Sequence, residues 1–142
     1  MVGKAKKTKL KLEEKFWLDD KERLKRLSAL LKQEIERILF DLDFRKDLLF
    51  KLWSKERLRE PLLRVLHSRF FELDFHDLIL LPKELSKNVD GFYRELDTFI
   101  FYVSYTEDMP HTMKIKFDTF VKSLKLSSVG ILEELSAICD VD

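Results

Sequence analysis

A chain of 142 residues with 45% hydrophobic and 37% charged side chains, 27 Lys and Arg against 26 Asp and Glu, is sized for one domain with a sizeable core. Leu occurs 26 times and Phe 12 times, whereas Gly and Pro occur three times each, which excludes disorder and a turn-rich β-sandwich. Gly3, Gly91 and Gly130 never cluster, which argues against a glycine-cradled phosphate site, and the lone Cys139 excludes an internal disulfide framework and a cysteine-based zinc site.

In chain order, residues 1–15 carry six Lys against Glu13 and Glu14 and read as a flexible basic arm. Asp19 or Asp20 then offers an N-cap oxygen. Leu24, Leu27, Leu31, Ile35, Ile38 and Leu42 follow at steps of three and four, one face of an α-helix. The stripe loses register at Arg45 and Lys46, so a break is expected near Asp41–Phe44. A second helix then carries Leu48, Leu49, Leu52 and Trp53. Leu58, Leu62, Val65, Leu66, Phe70 and Leu73 form a further stripe. Pro61 lies inside it and fits best at the opening of a new helix. The run Asp74–Leu81 reads as a connection.

The clearest helix spans 82–105. Leu85, Val89, Phe92, Leu96, Phe99 and Val103 are spaced four, three, four, three, four, a heptad seam. Ile100, Phe101, Tyr102 and Tyr105 widen its last turns until apolar groups occupy most of the circumference, which marks a central helix or one with an interface. After a turn at Thr106–Pro110, Met113, Phe117, Phe120, Val121 and Leu124 define the next helix. Ser127 or Ser128 is placed to cap a short last one with Ile131, Leu135 and Ile138. The expected fold is all-α: a single domain over 16–142, a compact antiparallel bundle of five to six helices, preceded by the basic arm.

Charge is distributed in opposed blocks. Residues 1–15 carry +4 and 16–44 carry −1. Residues 45–71 hold eight basic groups against three acidic (+5), residues 72–110 nine acidic against three basic (−6), and 111–142 carry −1. The basic block is the best positive signal for binding. Arg57, Arg59, Arg64 and Arg69 suit bidentate contacts with acidic partners, and Trp53 or Phe50 is a candidate to stack on a base. The competing expectation is internal, with the +5 block neutralised by the −6 block through ion pairs. Asn88 and Gln33 are the only amides, and this scarcity beside abundant Lys and Glu points to a thermophilic source. No apolar run reaches the ~18 residues of a membrane span, and no signal-peptide segment opens the chain, so a cytoplasmic setting is expected.

Sites of chemistry are sparse. His111-Thr112-Met113-Lys114 has the H-x-x-K spacing and resembles histidine phosphotransfer domains, which are four-helix bundles. That resemblance implies His111 as phosphate acceptor and Lys114 as its electrostatic support. The chain departs from the pattern at Ile115, where the family carries a small Gly, and Pro110 puts His111 at a helix start. Glu72 with His76, and Glu107 or Asp108 with His111, have spacing seen in metal sites, but only Glu34 lies near an apolar seam. Cys139 stands beside Asp140, which raises a thiol pKa rather than activating it. No cofactor, small-molecule substrate or catalytic set is inferred. The expected function is a non-enzymatic protein-interaction module, self-associating or bound to another protein, through Trp53, Arg57, Arg59, Arg64, Arg69, Phe101, Tyr102 and Tyr105. Nucleic-acid binding by the arm and residues 45–69 is the alternative, and phosphotransfer through His111 the second.

Overall fold

A computed structural model describes the backbone of residues 2–141 and the side chains of residues 20–141. The described residues form six α-helices: α1 (Val2–Phe44), α2 (Lys46–Ser54), α3 (Glu60–Leu66), α4 (Phe75–Leu78), α5 (Lys83–Tyr105) and α6 (Pro110–Cys139). A single 3-10 turn at Arg69–Glu72 precedes α4, and no strand occurs among the described residues. The fold is the expected all-α bundle. The long helices α1, α5 and α6 pack side by side, while α2 to α4 wrap one end and one flank.

The stripes read from the sequence become the core. Leu27, Leu31, Ile35, Ile38 and Leu42 of α1 are buried, as are all six residues of the α5 seam. Met113, Phe117, Val121, Leu124, Ile131 and Leu135 of α6 complete the apolar centre. At Arg45 (φ −110, ψ 17) the backbone leaves helical geometry for one residue. The hydrogen-bond ladder resumes at once, with Leu49 N donating to Arg45 O at 2.9 Å. This kink turns Leu49 and Trp53 onto the same core that α1 serves. Pro61 sits in the first turn of α3, where its missing amide proton costs nothing.

Local expectations fail at three places. The helical backbone already runs through Asp19 and Asp20 from Val2, so neither opens a helix. The expected flexible arm over 1–15 lies outside the residues whose side chains are described. Helix α6 is continuous through Ser127 and Ser128. Their hydroxyls donate back to the carbonyls of Leu124 (3.2 Å) and Lys125 (2.7 Å), so they decorate a helix interior instead of capping a new helix. Finally, part of 74–81 is helical, because Asp74 Oδ1 accepts from Asp77 N at 3.2 Å and opens α4.

A polar hub fixes the flank. The Glu34 carboxylate accepts from the Tyr93 hydroxyl at 2.6 Å, from the Ser68 hydroxyl and from the Arg69 amide at 3.2 Å. Arg37 donates to the His67 carbonyl at 3.0 Å. Together they pin the stretch after α3 onto α1 and α5. Burial, and next the Glu34 carboxylate beside it, push the Tyr93 hydroxyl far above the ordinary tyrosine pKa.

Candidate functional site

The basic segment 45–71 does not present the surface expected of it. Trp53 is 1% exposed and donates its indole N–H to the Val103 carbonyl at 3.3 Å. Its ring packs edge-on to Phe50 and Tyr102 and against Phe117. A side chain held on all sides is no platform for a base, so the stacking role assigned to Trp53 is corrected to a core role.

Arg57 and Arg59 are committed as well. Arg59 donates from one guanidinium nitrogen to the Ser104 carbonyl and from the other to the Thr106 carbonyl at 2.9 Å. These carbonyls lie at the C-terminal end of α5, where the helix leaves acceptors unpaired and carries partial negative charge. Arg57 reaches the Asp108 carbonyl at 3.4 Å and Met113 Sδ at 3.3 Å. Its backbone is left-handed (φ 57), the only such non-glycine residue among those described. Arg64 lies on the exposed face of α3 and pairs with Glu60 one turn back at 3.1 Å. The Arg69 side chain is exposed beside the Glu34 hub. The four arginines therefore do not converge on one open patch.

Nor do the +5 and −6 blocks cancel through ion pairs. Among the described residues no salt bridge joins a basic side chain of 45–71 to an acidic side chain of 72–110. The expectation of a neutralising network is corrected. The two blocks meet through Arg57 and Arg59 on backbone carbonyls, because the end of α5 offers carbonyls where the loop before α3 arrives.

The aromatic end of α5 divides in two. Tyr102 turns inward: its ring contacts Trp53 and Phe120, and its hydroxyl donates to Asp108 Oδ2 at 2.8 Å. Desolvation, and secondarily the Asp108 carboxylate, raise its pKa. Phe101 and Tyr105 turn outward, 66% and 69% exposed, with ring centroids 4.9 Å apart. Helix α5 is thus not enclosed on all sides. Its second face is open and aromatic.

No protein-family model, curated protein or solved structure matches the chain. His111 is exposed in the first turn of α6. Lys114 is taken up elsewhere, its ammonium 3.3 Å from Asp118 Oδ1 and 4.9 Å from the Phe50 ring centre. Among the described residues no group of three His, Cys, Asp or Glu side chains could hold a metal ion. Glu34, the one carboxylate near a seam, spends its oxygens on the three donors of the hub.

A cleft of about 540 Å³ lies between α1 and the 3-10 turn. Its walls combine Leu27, Leu30, Leu31, Phe70 and Leu73 with Gln33, Glu34, Arg37 and Arg69, and Glu34 is already hydrogen-bonded within the hub. Such a lining offers apolar contact with a few polar groups at its edge.

Sequence reasoning missed four residues of the open α5 face, Lys87, Gly91, Arg94 and Thr98. Lys87, Gly91, Arg94, Thr98, Phe101 and Tyr105 are all exposed and spaced four, three, four, three, four. This outer seam is the inner one displaced by two residues, half a turn around the helix. The spacing was visible in the sequence. The eye passes over it because its first half is polar or small.

Proposed function

We propose that this chain is a helical protein–protein interaction module without catalytic chemistry, and that its contact surface is the outer face of α5. The observation that carries this reading is the Phe101–Tyr105 ring pair, packed together yet turned into solvent on a helix whose opposite face is fully buried. Burying a large apolar side chain is worth about 1.5–3 kcal/mol. Two such rings side by side therefore hold several kcal/mol for a partner that covers them, and aromatic anchors are what interface centres favour. Nucleic-acid binding and phosphotransfer are the weaker readings, because Trp53 is core and Lys114 is engaged by Asp118. No helix among the described residues is long and apolar enough to cross a membrane. A chain with one cysteine relies on no internal disulfide, and we propose a cytoplasmic setting for the module.

The test is size-exclusion with light scattering on the wild type, beside capture from native lysate, repeated with a Phe101→Ser/Tyr105→Ser double variant. Association that the double variant loses, with helical content and Tm kept, supports the proposal. A wild type that stays monomeric and captures nothing overturns it.

A further inference from the structure

We propose that the partner for the outer face of α5 is a second copy of this chain, paired antiparallel about a two-fold axis at Thr98. The inference rests on the reading of that face as a contact surface and adds the occupant.

The argument is self-complementarity. A two-fold antiparallel contact pairs residues symmetrically about one position, so that every feature must meet its match at equal distance on the other side. The outer seam is small and cationic in its first half and aromatic in its second. Folding it on itself about Thr98 sets Tyr105 against Gly91 of the second copy. The same operation brings the Arg94 guanidinium over the Phe101 ring of the second copy, a favourable cation–π placement. It also brings Lys87 to Glu107 of the second copy. The three pairs, chosen for size, ring chemistry and charge, have their midpoints at Asp97, at Thr98 or between them. The midpoints agree to within one residue, about 1.5 Å of helix rise, so one axis near Thr98 serves all three within the reach of these side chains.

Two observations of the free chain support this occupant. First, nothing inside the chain calls for glycine at position 91. Its φ is not positive, and a Cβ there would meet no atom within 4 Å. Glycine weakens a helix interior, and at this position on the exposed outer seam it leaves room for the close approach of a ring from outside. Second, Lys87 and Glu107 are both exposed, and neither takes part in a salt bridge among the described residues. Asp90 and Arg94 are joined within the chain at 3.1 Å through Nε, which leaves the guanidinium face free for a ring. The seam from Lys87 to Tyr105 is about 27 Å long. A contact between two such helices falls near the lower limit for a specific interface, roughly 1,000 Å², so a micromolar dimer is expected.

The experiment uses the full chain in a Cys139→Ser background. Light scattering over about 10–500 µM is expected to show a monomer–dimer equilibrium. A Thr98→Cys variant, exposed to oxidised glutathione, is expected to give a disulfide-linked dimer as its two thiols lose two electrons and two protons to the oxidant. Lys122→Cys, on the exposed side of α6, is expected not to. Gly91→Leu and Phe101→Ser should each weaken the dimer at least about tenfold with helical circular dichroism kept, and Gly91→Leu should do so while raising the Tm of the monomer. Lys87→Glu should weaken it roughly three- to tenfold, and adding Glu107→Lys to the same chain should restore it. A dimer indifferent to Gly91→Leu and not cross-linked through Thr98→Cys overturns the pairing. A wild type that stays monomeric yet captures another protein through Phe101 and Tyr105 also overturns it, while leaving the proposed function standing. Monomer without capture ends both.

Discussion

Ser28 is fully buried on the core side of α1, and its hydroxyl has no hydrogen-bond partner. Leaving a buried hydroxyl unpaired costs about 1–3 kcal/mol. Ser28→Ala removes that cost with little change in volume, and we expect it to raise stability by about 1 kcal/mol in urea denaturation. Tyr93 is the opposite case, a buried hydroxyl with a carboxylate partner. Tyr93→Phe leaves Glu34 one donor short and should cost about 1 kcal/mol at neutral pH. The pH dependence follows from the raised pKa. The folded state holds the phenol neutral, so its stabilisation is complete below the unfolded value of 10.0 and drains away as pH rises past it. The stability gap between wild type and Tyr93→Phe should therefore narrow above about pH 10, read from denaturation series at pH 7, 9 and 11.

At the scale of elements, the C-terminal end of α5 depends on a residue from a distant loop. Arg59 covers the Ser104 and Thr106 carbonyls, and Arg57 holds a left-handed backbone while reaching Asp108 and Met113. Charged hydrogen bonds of this type contribute about 1.5–3 kcal/mol. Arg59→Ala is expected to cost about 2 kcal/mol and to lower Tm by roughly 6 °C. Arg59→Lys should recover little of this, since an ammonium cannot fork to two carbonyls. Gly130 gives the matching control for Gly91. It too stands in a helix interior with nothing within 4 Å of a Cβ. Gly130→Ala should stabilise the fold by about 1 kcal/mol, measured by thermal unfolding, and leave self-association unchanged.

For the whole molecule, the opposed charge blocks do not hold the fold together. The ion pairs present are exposed or half-exposed, and most link residues three or four apart on one helix. Such pairs contribute about 0–1 kcal/mol each and are screened by salt. Raising NaCl from 20 mM to 0.5 M should therefore shift Tm by no more than roughly 4 °C. A larger fall would restore the idea of a stabilising ion network. Stability lies in the apolar centre shared by α1, α5 and α6 and in the aromatic cluster around Trp53 and Phe117.

What the chain alone determined is whatever repeats along it. The α5 seam from Leu85 to Val103, the α1 stripe from Leu27 to Leu42 and the start of α3 at Pro61 were legible, because helix periodicity and proline sterics act over a few residues. The near-equal count of basic and acidic groups was legible too, and so was its division into +5 and −6 blocks. Only the tertiary structure decided how those blocks meet. Arginine has carbonyls as well as carboxylates to choose from, and the choice is made by which chain end a loop reaches in space. For the same reason Trp53 and Phe101, equally aromatic in the sequence, part company in the fold: one fills the centre of the bundle, the other stands in solvent.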